Sequence, residues 1–279
     1  SVTRLYFPRL FNLYSYIKFF KNLKEKQYDI VHTHQPRSDF MFFILKSFTT
    51  IKTTWIVSIH GKYDTYLEGN VFFDQIRKLS MPLLVKIWNS SNQIICISQE
   101  VQKWLTTYKI KPNISVVNYW ISKSKLENLE ETKECINIGF MGRVNKNKGI
   151  EDLLDVFKDL SEDRYNLSIA GSGKEAYLKR LKERYDLKNV NFLGYISNKE
   201  EFFSNIDIFV FPSYSEGLGL VLLESMSYSK ICISRNVAPM NSILNKDFGY
   251  LFQNNEDLKS IILDCGYLFQ EDILSLNKK

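Results

Sequence analysis

Glu216 and Glu224 stand with seven residues between them in FPSYSEGLGLVLLESMSYSK (Phe211–Lys230), and Gly217, Leu218, Gly219 and Leu220 follow the first of them. Glycine has no Cβ, so a ligand can come close to the backbone at Gly217 and Gly219. The apolar run from Leu220 predicts a helix, and the unpaired N–H groups of a helix's first turn attract anions. On that helix Glu224 is expected about two turns in, on nearly the same face as Leu220 and Glu216. One acid at the mouth and one farther along could grip two ends of a polar, phosphate-bearing ligand. An ordinary strand-to-helix turn with two surface acids would carry the same letters.

A second constellation is GFMGRVNKNKG (Gly139–Gly149). An apolar strand ends at Gly142-Arg143, and Lys148-Gly149 opens the next helix. A guanidinium and an ammonium near a helix N-terminus suit a diphosphate, and they would stabilise charge developing on a leaving group. A solvated basic loop is the alternative. His60 closes the apolar run TTWIVSIHG (Thr53–Gly61), and the carboxyl ends of strands in an α/β sheet face the crevice where ligands bind. LSIAGSGKEA (Leu167–Ala176) has the G-x-G-x-x-A outline of a dinucleotide fingerprint. It follows the second strand of its half rather than the first, where that fingerprint belongs.

Strands are expected at YDIVHTH (Tyr28–His34), TTWIVSIHG, QIICIS (Gln93–Ser98) and ISVVN (Ile114–Asn118), with helices over Asp39–Phe48, residues 71–90 and Gln99–Thr107 between them. Pro82 should interrupt the second of these helices, and Ser98 should cap the third. Residues 122–134 are polar without a strand pattern and read as a linker. Beyond them strands at Cys135–Gly142, Tyr165–Gly171, Asn189–Ile196, Ile206–Phe211 and Lys230–Val237 alternate with helices over Lys148–Leu160, Glu175–Tyr185, Lys199–Ser204 and the opening stretch. A short helix at Met240–Leu244, a turn at Gly249–Phe252 and a last helix over Asn255–Phe269 complete the chain. Strands alternating with helices predict parallel sheets. The fold expected is α/β with two domains, 1–121 and 135–279.

Length and composition fit that scheme. The 279 residues suffice for one large or two ordinary domains, and 44% hydrophobic with 24% charged is a globular balance. A net charge of +6 favours anionic partners without choosing among them. The basic residues are dispersed and lack an aromatic-basic recognition motif, so no nucleic acid is expected. Four scattered cysteines, Cys96, Cys135, Cys232 and Cys265, read as buried thiols in a reducing compartment. With three histidines and no D-x-D, no metal site is expected. No stretch approaches about 18 apolar residues, so neither a membrane span nor a signal peptide is expected. Residues 1–27 place Leu10, Leu13, Tyr14, Ile17 and Phe20 at helical spacing with Lys18, Lys21, Lys24 and Lys26. That pattern gives a core-facing helix with wet lysines or a peripheral contact with an anionic membrane.

The E-x7-E stretch at the end of a D-I-F-V strand resembles the signature of retaining GT-B glycosyltransferases, in particular the large family four of bacterial capsule, O-antigen and mannosyl transferases. The G-R-x4-K-G element at Gly142–Gly149 resembles the same family's diphosphate loop. The resemblance implies two Rossmann-like domains facing a cleft and a cytoplasmic enzyme, peripheral on the inner membrane face. It implies sugar transfer with retention from a nucleotide-diphosphate sugar to a glycan or lipid-linked acceptor, without metal or cofactor. By position, Gly142, Arg143, Lys148 and the Gly217–Leu220 backbone would hold the diphosphate, Glu224 the ribose, Glu216 the sugar hydroxyls, and His60 the sugar near the reacting carbon. Tyr195 and Ile196 would border the nucleobase. His32 is expected to pack inside, and His34 and Arg37 are candidate acceptor contacts. The family's opening strand and glycine-rich loop have no counterpart, because residues 1–27 contain no glycine. The N-terminal domain is therefore expected to be incomplete. A sugar-nucleotide-binding chain that works with a partner subunit is the alternative; a nucleotide-sugar epimerase or NAD-dependent enzyme is a further one.

Overall fold

The computed structural model describes residues 21–23, 25–49, 52–64, 71–118, 121, 135–244 and 249–276. The expected linker and most of the lysine-bearing first helix lie outside them. In chain order the elements are β1 (Ile30–Thr33), α1 (Pro36–Phe48), β2 (Thr54–Ile59), α2 (Val71–Trp88), β3 (Gln93–Cys96), α3 (Gln99–Leu105) and β4 (Asn113–Val116). They continue as β5 (Ile136–Met141), α4 (Ile150–Phe157), β6 (Tyr165–Ala170), α5 (Glu175–Arg184), β7 (Val190–Gly194), α6 (Lys199–Ser204) and β8 (Ile208–Phe211). The last are α7 (Leu220–Ser227), β9 (Ile231–Arg235), α8 (Met240–Ile243), β10 (Tyr250–Phe252) and α9 (Asn255–Leu276). Two compact units divide them, one of Ser1–Asp64 with Phe72–Asn118, the other of Tyr119–Lys279 with Thr65–Val71.

The second unit is a six-stranded parallel sheet in the order β10-β9-β8-β5-β6-β7. This is the doubly wound dinucleotide-fold order. The chain builds outward from β5 to β7, then returns to the other side of β5 with β8, so β5 and β8 form the switch point. All four β8 residues are buried, as expected of a strand covered on both faces. Side chains such as Ile138, Phe140, Leu153, Leu154 and Ile208 make one core, and Phe203, Phe209, Phe211 and Leu222 belong to another. Residues 249–252 correct the sequence reading. Tyr250–Phe252 is a strand pairing in parallel with β9 rather than a turn. Three residues are too few to show alternation. The last helix also runs on to Leu276.

The first unit is a four-stranded parallel sheet in the order β1-β2-β3-β4. Right-handed crossovers between strands laid down in one direction put α1, α2 and α3 on the same face. Alternation along β2 and β3 then buries Trp55, Val57, Ile59, Ile94 and Cys96 completely. Ser98 caps α3 as expected, its hydroxyl accepting from the Val101 N–H at 3.2 Å. Pro82 does not break α2, which runs through it. Pro82 and Lys78 are both exposed, so water can reach the Lys78 carbonyl that the proline leaves without its helical donor.

The indoles of this core need acceptors: Thr33 Oγ1 serves Trp55 at 3.0 Å, and two aspartates serve Trp88 and Trp104. Trp88 Nε1 donates to Asp39 Oδ2 at 3.0 Å, and Trp104 Nε1 and Tyr108 OH donate to Asp64 at 2.8 and 2.7 Å. Asp64 thereby ties the turn after β2 to α3. Asp39 is 1% exposed. Burial raises its carboxyl from 3.8 to about 6, against the lowering effect of Thr33 and Trp88. The folded form therefore retains a proton that the unfolded chain releases. Stability contributed by this group is fully present below pH 4 and is lost as pH rises through 6, by about 3 kcal/mol. Asp39→Asn keeps an acceptor for Trp88 and cannot ionise. Denaturant titrations across pH 3.5–7 should show the variant gaining on the parent between about pH 4 and 6. Parallel curves would reject the assignment.

Candidate active site

At the switch point the loops after β5 and β8 are joined along their length. Gly149 has φ +64, and a Cβ there would lie 2.2 Å from the Pro212 carbonyl oxygen. Any side chain at 149 would thus push the two loops apart. Tyr214 N–H donates to the Asn147 carbonyl at 2.9 Å, and Asn147 Nδ2 donates to the Ser215 carbonyl at 3.2 Å. The seam ends in an ion pair between Lys148 and Glu216, whose side chains are 12% and 15% exposed. The two constellations singled out in the sequence therefore meet, and they meet as direct partners. Lys148 also lies over the Phe211 ring. Arg143 is exposed on the same loop.

The loop after β6 packs on the first of these. Cβ atoms added at Gly171 and Gly173 would lie 1.7 Å from the Gly142 carbonyl oxygen and 2.5 Å from that of Val144. Val144 N–H donates to the Ser172 carbonyl at 2.9 Å. Backbone approach to another loop accounts for this G-x-G without a dinucleotide.

Gly219, with φ +78, turns the chain into α7. The N–H groups of Leu222 and Leu223 both reach the Gly219 carbonyl, which by helix geometry leaves those of Leu220 and Val221 at the open end. Leu218 is buried and Leu220 exposed. Glu224 is one turn into α7 rather than two, because the helix starts only at Leu220. Both its oxygens take Lys199 from the start of α6, at 2.6 and 2.7 Å. Tyr195, just past β7, is 81% exposed, while Ile196 packs against the second core.

His60 stands in the first unit, one residue past β2. Its Nε2 is 3.2 Å from His34 Nδ1. His32 is exposed rather than packed inside, with its Nε2 2.8 Å from the Ser58 hydroxyl. Burial, and then the neighbouring His34, hold His60 below the usual histidine range. Partial desolvation against the sheet, with both histidine neighbours, brings His32 to about 4. Among the described residues no group of three metal-ligating side chains is placed to hold a metal.

Residues 122–265 match the family model described as glycosyl transferases group 1, and residues 1–123 match that of glycosyltransferase family 4. The chain belongs to the group 1 glycosyltransferases. It is 28% identical over 273 residues to the capsular polysaccharide biosynthesis glycosyltransferase CapM of Staphylococcus aureus, covering 90% of this chain and 70% of CapM. It is 28% identical over 283 residues to the alpha-monoglucosyldiacylglycerol synthase of Streptococcus pneumoniae, covering 92% of this chain and 63% of the synthase. Among solved structures, Anabaena Alr3699/HepE in complex with UDP-glucose is similar with a TM-score of 0.76 and 16% identity, over 90% of this chain and 72% of HepE. No helix among the described residues of this glycosyltransferase is long and apolar enough to cross a membrane.

Two supporting side chains escaped the sequence reading. Lys199 begins a short polar helix, and nothing in the letters marks it as the partner of Glu224. Arg235, at the end of β9, is nearly buried. It donates from Nε to the Pro212 carbonyl at 2.9 Å, pairs with Asp152 of α4, and lies over the Tyr214 and Phe252 rings. Tyr214 also donates to Asp152. The loop that carries Glu216 is thus buttressed from beneath by a paired charge. Arg235→Met should lower stability by on the order of 3 kcal/mol, because Asp152 keeps its charge without its guanidinium. Arg235→Met with Asp152→Leu should recover part of that in urea titrations. A double variant no better than the single one would show that the pair is not what holds the loop.

Proposed function

We propose that this glycosyltransferase moves a sugar from a nucleotide-diphosphate sugar to an acceptor hydroxyl, with retention at the anomeric carbon and without a metal. The observation that carries the reading is the joining of Lys148 to Glu216 at the β5–β8 switch point, where α/β sheets bind their ligands. The solved neighbour described with UDP-glucose supports a nucleotide-sugar donor. Relatives named for capsular polysaccharide and glycolipid synthesis support a glycan or lipid-linked acceptor.

In this reading Arg143, Lys148 and the Gly142 backbone hold the diphosphate together with the open end of α7 at Leu220. Glu224 takes the ribose hydroxyls, and Tyr195 and Ile196 border the base. The Gly217–Leu220 backbone shares in holding that diphosphate, Glu216 takes the sugar hydroxyls, and His60 contacts the sugar near the reacting carbon. As the bond from the anomeric carbon to the diphosphate oxygen breaks, the two cations stabilise the charge arriving on that oxygen. The acceptor oxygen bonds to the anomeric carbon on the face the diphosphate leaves. Its proton passes to the departing phosphate, so the step needs no separate base.

Thermal shift with UDP, GDP and NAD gives the first measurement, since a ligand that binds the folded state raises the melting temperature. One of the two nucleoside diphosphates should raise it, and NAD should not. Lys148→Ala should weaken that nucleotide by about 10- to 100-fold, the worth of a hydrogen bond to a charged group. Full donor hydrolysis and transfer in both Lys148→Ala and Glu216→Ala would sink the assignment. Tight nucleotide-sugar binding with no turnover against any acceptor would favour the partner-dependent alternative.

A further inference from the structure

The chain has three histidines, and all three lie together on one face of the first sheet. His32 and His34 are two residues apart on and just past β1, and Ser58 and His60 are two apart on and just past β2. Residues two apart on a strand point the same way. In the parallel register His32 lies opposite Ile56, so each histidine reaches diagonally to the residue two beyond its opposite number. His32 reaches Ser58 at 2.8 Å, and His34 reaches His60 at 3.2 Å. The His34 ring is held between the other two, its centroid 4.1 Å from that of His32 and 5.4 Å from that of His60.

A contact between two ring nitrogens allows few proton arrangements. A neutral imidazole has one N–H and one bare nitrogen. At the His34 Nδ1–His60 Nε2 contact one nitrogen must donate and the other accept. Whichever tautomer His34 adopts fixes the tautomer of His60. From it we infer that His34 is a positioning residue for His60, holding its ring and dictating which of its nitrogens carries the proton. This inference rests on the reading of His60 as the imidazole beside the donor sugar.

The surroundings keep the pair neutral. Burial holds His34 below the usual histidine range, and burial with His34 does the same for His60. His32 is the third titratable group on this face. Arg37, Lys62 and Asp64 stand within four residues of the pair along the chain, and the Asp64 carboxylate is engaged by Trp104 and Tyr108. From the neighbouring strand Cys96 pairs with Ile59 on the buried face, where burial pushes its thiol up to about 12. Removing His34 takes away a neighbour whose protonated form depresses His60, so the His60 pKa should rise.

Nitrogen NMR of the full chain labelled in its imidazoles tests the pairing with no substrate present. At neutral pH one of His34 Nδ1 and His60 Nε2 should be protonated and the other bare, with a scalar coupling across the hydrogen bond. Both protonated, both bare, or no coupling would overturn the inference. Kinetics with a turned-over nucleotide sugar test its consequence. His34→Phe should lower kcat by about a hundredfold, the cost of a small misplacement beside the reacting carbon, with little change in KM for the donor. His34→Gln, which can still donate and accept, should recover most of kcat and shift the acid limb of the pH profile upward. An acid limb that does not move would show His34 to be mere packing. If the coupling is seen while His60→Gln transfers sugar at the parent rate, the pair stands and the role given to His60 fails instead.

Discussion

The contact on which the second unit's site depends is the approach of Gly149 to the Pro212 carbonyl. It fixes the distance between the loops after β5 and β8, and those loops carry Lys148 and Glu216. The contact is possible because residue 149 lacks a side chain and adopts a left-handed backbone that other residues resist. Everything nearby reinforces the same spacing. Asn147 stitches the loops on one side, and Arg235 draws the Pro212 carbonyl from the other. Asp152 anchors that arginine from α4, the helix Gly149 begins. The seam is therefore closed into a ring of contacts that starts and ends at one glycine.

Much of this was legible because it is written in short-range pattern. The alternation of apolar strands with amphipathic helices gave the α/β class, and Gly142–Gly149 and Phe211–Lys230 fell at the ends of the strands that prove to be neighbours. What pattern cannot express is which partner a side chain takes across the fold. Lys148 and Glu216 read as separate ligands for a phosphate and a hydroxyl, and they are bonded to each other. Glu224 read as a ribose ligand, and Lys199 already holds it. Gly171 and Gly173 looked like a nucleotide fingerprint because close approach to a phosphate and close approach to another backbone select the same residue. Pro82 read as a helix breaker because the sequence does not say which carbonyls face water.

The histidines show a different limit. Strand alternation alone places His32 and His34 on one face, so treating one as buried and the other as cleft-facing set a local guess against a period-two rule. The rule decides. The register between β1 and β2 then supplies what alternation lacks, by bringing Ser58 and His60 beside them. A sequence carries both halves of that juxtaposition, H-x-H and S-x-H, but their offset belongs to the sheet.

The two units consequently offer different electrostatics at their strand ends. The first presents imidazoles whose hold on a proton is weakened by partial desolvation and, at His32 and His60, by their histidine neighbours. The second presents charges already paired, Lys148 with Glu216 and Lys199 with Glu224. On the proposed function a diphosphate would compete with Glu216 for Lys148, and a ribose would compete with Lys199 for Glu224. Such pairing keeps a half-buried charge from standing alone, whose desolvation would otherwise weigh against the fold. It also means the ligand must offer more than it displaces. A multiply charged phosphate group meets that condition where a single carboxylate does not. The same residues that hold the loops in register would thereby select for a phosphate-rich donor before any specific hydroxyl is read.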